Sequence, residues 1–268
     1  MTRDEMIRLL AEINVICRDN GRRFTEFPRI NVIREKLKNS TYLCTQGELC
    51  LIYSKKPLDQ FDEEAVLLST HIDCVRNITR CFSMQCGNGM LKGTYDNSIT
   101  NTAALVLMLE DRLPGNVIIS FTGDEEIDSH GALETCRILR RNGIDFKAVI
   151  LDVTDEGWHR SADVSMENDF FAADSPWGNR MIRRLIETVQ NWCFVPEDPS
   201  AIPPLVPAGN RIPKEAEADE SWDYDEKDVE CFSLCLPICG EMHCDEGVYC
   251  RESSFFAYIN ALESICCP

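Results

Sequence analysis

Residues 117–126, VIISFTGDEE, join a buried strand to a cluster of three carboxylates. The run 117–122 has the length and apolar character of a buried strand. A strand that carries Asp124, Glu125 and Glu126 to its end is electrostatically expensive unless a cation or a proton neutralises the cluster. Adjacent side chains of an extended chain point apart, so we expect Glu125 and Glu126 to differ in role. One would bind a metal and the other would face a reacting water; a solvated acidic loop is the alternative.

The same pattern of an apolar run followed by a polar side chain occurs twice more. AVLLSTHID, residues 65–73, ends in His71 and Asp73, and KAVILDVT, residues 147–154, carries Asp152 near its end. Asp73 lies two positions after His71, on the same side of an extended chain, and can hold the second imidazole nitrogen. Open α/β sheets place their ligand sites at the carboxyl ends of strands. These side chains are therefore expected to meet at one edge of a sheet.

Two further candidates lie in loops. Asp96, in GTYDN, precedes a predicted helix, and its carboxylate can offer one oxygen to each of two metals about 3.5–4 Å apart. An Asp-Asn turn that caps the helix is the alternative explanation. His243, in GEMH, follows the strand-like CFSLCLPI. Each residue is weak evidence alone, but together they supply the imidazoles and carboxylates of a two-metal site.

Strands alternate with helices along the chain, which predicts a three-layer α/β/α sandwich around a mostly parallel mixed sheet. We predict one catalytic domain over residues 1–268. Residues 195–230 are rich in proline and acid with little periodicity, which predicts a long surface loop. Helices are predicted at 4–18, 101–113, 129–143 and 178–193, with a further one at the carboxyl terminus.

The composition limits which partners the protein can bind and in which cellular compartment it is expected. A formal net charge of -18 argues against nucleic acid and anionic membranes as partners. The amino terminus has no uninterrupted apolar segment of the signal-peptide kind, and no run approaches the ~20 apolar residues of a membrane span. We therefore predict a cytoplasmic protein. The 15 cysteines are expected to be mostly buried, reduced thiols, because Cys231, Cys235, Cys239, Cys244 and Cys250 lack the CxxC pairs of structural zinc sites.

In this order, the candidate residues resemble the ligand set of the co-catalytic zinc exopeptidases that share the phosphorylase/hydrolase-like fold. The resemblance covers about residues 65–265. That family has His-x-Asp, a bridging Asp, Glu-Glu, Asp or Glu, and a final His, and every position is filled here. The resemblance implies two divalent metal ions, expected to be zinc. It further implies the following roles: His71 and Asp152 bind one ion, Glu126 and His243 the other, Asp96 bridges them, Glu125 is the general base and Asp73 orients His71.

Spacing selects a subgroup of that family. Asp96 follows His71 by only 25 positions, which leaves no room for the lid domain of the tetrahedral aminopeptidases. The 91 positions from Asp152 to His243 already contain predicted elements, so an inserted dimerisation domain does not fit either. The chain is most similar to the single-domain bacterial zinc aminopeptidases. It departs from many relatives in EEIDSHG, which puts Asp128 and His130 near the expected site.

The resemblance implies hydrolysis of the amide bond at the amino terminus of a peptide. A carboxypeptidase, dipeptidase or N-acyl amino-acid deacylase could use the same metal site on a peptide or acyl-amino-acid substrate. Those enzymes need a cation for the substrate carboxylate, and Arg76, Arg160 and Arg211 are candidates. A third hypothesis is a non-catalytic binding protein that retains the fold. The sequence leaves the preferred side chain, the native metal and the oligomeric state open.

Overall fold

A mixed sheet forms the centre of the molecule. The structure is a computed structural model that describes residues 1–18 and 23–267. The strands are β1 (Leu43–Gln46), β2 (Cys50–Ser54), β3 (Ala65–His71), β4 (Ser83–Cys86), β5 (Met90–Gly93), β6 (Val117–Thr122), β7 (Phe146–Thr154), β8 (Val164–Phe170), β9 (Trp192–Val195), β10 (Cys231–Cys239) and β11 (Val248–Arg251). They follow the order β1-β2-β6-β3-β7-β10-β11-β5-β4, and β8 pairs with both β10 and β9. Neighbours among β6, β3, β7 and β10 are parallel.

Helices cover both faces of this sheet. They are α1 (Arg3–Ile13), α2 (Pro28–Leu37), α3 (Ser98–Leu109), α4 (His130–Arg141), α5 (Pro176–Thr188), α6 (Glu220–Asp225) and α7 (Glu252–Cys266). One apolar core unites α1, α2, α3, α5 and α7 with the sheet, and a second joins α4 and α6 to its other face. Helices on both faces of a mixed sheet confirm the predicted α/β class. In the described part of the chain, no helix is both long and apolar enough to cross a membrane.

The central helix α3 is buried on every side. Its residues 98–108 are all buried, because it lies between the sheet and the outer helices α1 and α7. A helix surrounded by protein can be apolar on every side, as the run AALVLML is. Its first turn is polar and bonds to the sheet instead. Asn101 donates from Nδ2 to the carbonyl of His71 at 2.8 Å and to Thr70 Oγ1 at 2.8 Å.

Several local predictions were wrong. The first helix ends at Ile13 rather than at residue 18, and α2 and β8 were not predicted. The helix predicted over 178–193 stops at Thr188, and Trp192–Val195 form β9. Val189 is already extended, and all four residues of β9 are buried against β8, with Val164 opposite Trp192. Pairing with a neighbouring strand has overridden the local helical pattern.

The segment 195–230 is not a surface loop throughout. Its carboxyl-terminal part forms α6, which Asp219 caps by accepting the Ser221 N–H at 2.8 Å. Tyr224 is fully buried and donates its hydroxyl to Ser69 Oγ at 3.0 Å. Glu220 is also buried, with its two oxygens accepting from Ser69 and Thr122 at 2.9 and 2.6 Å. The acidic composition of this segment did not indicate that it packs on the sheet. The packing is possible because hydroxyl groups of the sheet donate to the oxygens of Glu220.

Candidate metal centre

The candidate residues converge at one edge of the sheet. His71 ends β3, Asp152 lies near the end of β7, and Glu126 follows β6 after a short turn. Asp96 stands just before α3, and His243 follows β10. The neighbouring strands β6, β3, β7 and β10 are parallel, so their carboxyl ends share this edge.

Asp96 lies between the two imidazoles. Its Oδ1 is 3.1 Å from His71 Nε2, and its Oδ2 is 3.0 Å from His243 Nε2. The same His71 nitrogen lies 3.6 Å from Asp152 Oδ1, and the same His243 nitrogen lies 3.8 Å from Glu126 Oε2. The five side chains therefore form two groups, each with one imidazole and one carboxylate, that share Asp96.

Asp73 and Glu125 lie on the other side of His71. Its Nδ1 is 3.5 Å from Asp73 Oδ1 and 3.8 Å from Glu125 Oε2. Asp73 Oδ2 also accepts the backbone N–H of Glu126 at 3.2 Å. Asp73 thus connects the strand that carries His71 with the turn that carries Glu126. Glu125 has no such bond in the described part of the chain and lines the same cavity as the five side chains.

Burial and mutual repulsion perturb the carboxyl groups strongly. Burial, reinforced by neighbouring carboxylates, raises the pKa of Glu125 to about 9 and the pKa of Glu126 to about 8. Burial also raises the pKa of Asp152 to about 6. For Asp96 burial acts in the same sense, but bonds to His243 and His71 hold its pKa well below the usual range. Four carboxylates packed this closely need cations to remain ionised.

The side chains present fit divalent metal ions. Asp96 Oδ1 and Glu126 Oε1 are buried and have no hydrogen-bond partner among the described residues. Such orphaned polar atoms are rare in folded proteins. Ligand atoms of His71, Asp96 and Glu126 lie within 4.8 Å of one another. Imidazole nitrogens and carboxylate oxygens are the donors of non-thiolate zinc sites.

Comparison with solved structures identifies the fold. No family model and no curated protein matches the sequence. A TET aminopeptidase from a marine-sediment Thaumarchaeota archaeon is 10% identical, with a TM-score of 0.73 over 98% of this chain and 96% of that one. An aminopeptidase from the archaeon Desulfurococcus kamchatkensis is 9% identical, with a TM-score of 0.71 over 98% and 95%. Aminopeptidase PepT from Bacillus cereus is 8% identical, with a TM-score of 0.69 over 99% and 98%. The chain shares the fold of these three enzymes.

The three arginine candidates have different surroundings. Arg160 donates to the carbonyl of Arg211 at 2.9 Å, and Arg211 donates to the carbonyl of Val206 at 2.7 and 3.0 Å. Arg76 lines a cavity of about 1080 Å³ that also reaches Asp73 and Glu126. Arg160 and Arg211 line neither this cavity nor the one that holds the metal-centre side chains.

The sequence argument missed several residues of the cavity that holds the metal-centre side chains, among them a buried glutamate. That cavity, of about 150 Å³, is also lined by Glu167 of β8. The available signal was a glutamate inside the strand-like run VSMENDF, residues 164–170. His130, by contrast, is exposed at the start of α4, where its Nδ1 lies 2.6 Å from Asp124 Oδ2.

Proposed function

We propose that the protein is a dinuclear, metal-dependent aminopeptidase of the cytoplasm that removes amino-terminal residues from peptides. The observation that carries this proposal is Asp96, with one oxygen toward each of two imidazoles, on the aminopeptidase fold. His71 and Asp152 would hold one ion, Glu126 and His243 the other, and zinc fits these donors.

The reaction needs an activated water, a polarised carbonyl and a proton carrier. When bound, two divalent ions would supply Lewis acidity and lower the pKa of a water toward ~7. Glu125 would take the proton from that water and return it to the leaving amine. Asp73 would hold His71 through its Nδ1 and so fix which nitrogen faces the centre. Without metal, burial and the neighbouring carboxylates raise the pKa of Glu125 to about 9. Bound cations would favour its ionised form and so leave it able to accept the proton.

The charges around the centre favour a free amine over a carboxylate as the group recognised. The cavity of the metal centre is lined by Asp155, Glu167, Glu217 and Asp219 in addition to the proposed ligands. Such a surface attracts a cationic substrate group and repels an anionic one. Carboxypeptidase or deacylase activity would instead depend on the arginines that line the larger cavity, Arg18, Arg23 and Arg76.

The experiment that tests this function compares wild type with Glu125→Gln after reconstitution with zinc. Wild type should cleave leucine 4-nitroanilide but leave its N-acetyl form intact. Glu125→Gln should keep two ions per chain and lose about 10²–10⁴-fold in turnover. The matched control is Glu187→Gln, since Glu187 is an exposed glutamate of α5. Turnover of the Glu125 variant within about threefold of wild type would remove Glu125 as the base. Hydrolysis of N-acetyl-leucine without cleavage of leucine 4-nitroanilide would favour the deacylase.

A further inference from the structure

The cavity of the metal centre extends along one face of the sheet. Asp152 of β7, Cys235 of β10 and Ser165 of β8 lie side by side in register. Glu167 is two residues beyond Ser165 and therefore faces the same side. Residues 217–219, which lead into α6, also line the cavity. The cavity thus has a floor of three strands, with the proposed ligand Asp152 on one side and Glu167 on the other.

Glu167 is a buried carboxylate without a complete set of partners. The residue is 5% exposed, and its Oε1 has no hydrogen-bond partner among the described residues. Burial raises the pKa of Glu167 to about 8, against the opposing effect of the Ser165 and Thr154 hydroxyls. The charges that act on it most strongly are those of Asp219 and Glu156, and both are negative. A buried acid in this position calls for a cation.

The protein's own nearby cation is already engaged. Lys214 pairs with Glu156 and acts further on Asp155 and Glu217. Asp219 is also occupied, because it accepts from Ser221 and from the Ser233 hydroxyl at 2.5 Å. Glu167 is therefore the carboxylate of this cavity, outside the proposed metal ligands, that is both buried and short of a partner.

We propose that this extension receives the side chain of the substrate's amino-terminal residue and that Glu167 selects lysine or arginine by pairing with its cation. The inference rests on the proposed function, since it places the scissile bond at the metal centre. Lysine and arginine carry their charge on flexible stems of three or four carbons, which can lie along apolar surface. Cys235, between Asp152 and Glu167, is 3% exposed, and burial raises its pKa well above the ordinary value. It therefore presents a neutral floor to the stem.

Selectivity should follow from the cost of leaving Glu167 unpaired. A neutral side chain of similar length fills the space but leaves the buried acid without a cation, and an acidic side chain adds repulsion. Pairs between buried charges change affinity strongly when one partner is lost. We expect kcat/KM for lysyl and arginyl substrates to exceed that for methionyl substrates by about 10- to 100-fold. Glutamyl substrates should be the poorest.

The test uses the full chain, reconstituted with zinc, and the 7-amido-4-methylcoumarin derivatives of Lys, Arg, Met and Glu. Glu167→Gln should bring the Lys/Met ratio of kcat/KM close to one, mainly through a higher KM for Lys. The matched control is Asp169→Asn, because Asp169 is also on β8 but accepts the Glu197 N–H at 3.0 Å, outside this cavity. Its ratio should equal that of wild type. Thermal melting checks that both variants fold.

The outcomes separate this inference from the proposed function. Equal cleavage of Lys and Met substrates by wild type overturns the selectivity of Glu167 and leaves the aminopeptidase proposal intact. Cleavage of no aminoacyl substrate overturns the proposed function itself. If Glu167→Gln does not fold, competitive inhibition of wild type by free lysine and by free norleucine decides the point. Tenfold tighter inhibition by lysine supports the pocket, and equal inhibition refutes it.

Discussion

Removal of metal should make the protein's stability fall steeply as the pH rises from about 5 to 9. The reason is the group of raised carboxyl pKa values at the candidate metal centre, about 9 for Glu125 and about 8 for Glu126. An acid with a higher pKa in the folded chain binds more protons when folded, so the stability of the fold falls as the pH rises from the unfolded pKa to the folded one. With metal bound, the ions neutralise these carboxylates, and the loss of stability at high pH should largely disappear.

The size of the effect follows from the pKa values. Raising the pKa of Glu126 from 4.5 to about 8 corresponds to roughly 5 kcal/mol once the group ionises, at about 1.4 kcal/mol per pKa unit. His71 acts in the same direction, since its raised pKa adds stability that is lost as the pH rises. Asp96, with a lowered pKa, adds stability that stays constant above pH 5. A protein of ordinary stability has only about 5–15 kcal/mol in total.

The assay is thermal unfolding at pH 6 and pH 9, once in EDTA and once with excess zinc. For a chain of this size about 1 kcal/mol shifts the melting temperature by 2–4 °C. The part of the Glu126 penalty that falls between pH 6 and about 8 is roughly 3 kcal/mol. The metal-free protein should therefore melt about 10 °C lower at pH 9 than at pH 6, while the zinc-loaded protein changes little. In the metal-free protein, Glu126→Gln should reduce the difference in melting temperature between pH 6 and pH 9, because the variant lacks one of the ionisable groups. Glu187→Gln, on the exposed side of α5, should show the same difference in melting temperature as wild type.

Two results would refute this reasoning. The first is a metal-free protein whose melting temperature is the same at both pH values, which would mean that the clustered carboxylates ionise without cost. The second is a steep dependence that persists in excess zinc, which would place its origin outside the metal centre.

Two further predictions concern single side chains. His243→Ala should lower the zinc content after gel filtration from two ions to about one per chain, because His71 and Asp152 remain to hold the other ion. The control variant His159→Ala should retain both ions. Equal zinc contents in the two variants would contradict the assignment. Iodoacetamide at pH 7 should alkylate Cys81 before Cys17, because the Cys74 thiol lowers the pKa of Cys81 while burial raises the pKa of Cys17 to about 12. Peptide mass spectrometry measures the order of labelling, and simultaneous modification would argue against a stabilised thiolate.

The parallel centre of the fold was predictable because its strands are buried on both faces. Such strands appear in sequence as continuous apolar runs, and VIISFT and AVLLSTH are of this kind. A polar side chain that interrupts such a run marks the strand's end. His71, Glu126 and Asp152 could therefore be placed at one sheet edge before any coordinates, and the structure brings them within reach of Asp96.

Elements at the side of the sheet could not be predicted in this way. The run VSMENDF of β8 mixes buried apolar and polar residues, and β9 is only four residues long. The stability of both strands comes from pairing with each other and with β10, which depends on residues distant in sequence. α6 has only six residues, and the carboxylate oxygens of its buried Glu220 are matched by Ser69 and Thr122. Local sequence carries no signal for such long-range matches.

Glu220 and Glu167 show why the partners of a buried acid decide its role. Both are buried, and burial raises both pKa values, to about 7 and about 8. Each oxygen of Glu220 accepts a hydroxyl hydrogen, so that residue is explained by the packing of α6 on the sheet. Glu167 has an oxygen with no partner, in a cavity shared with the proposed metal ligands. Burial and charge are nearly the same in the two cases. The missing partner is what points to a ligand at Glu167, because a folded protein rarely leaves a buried acceptor unsatisfied without a use for it.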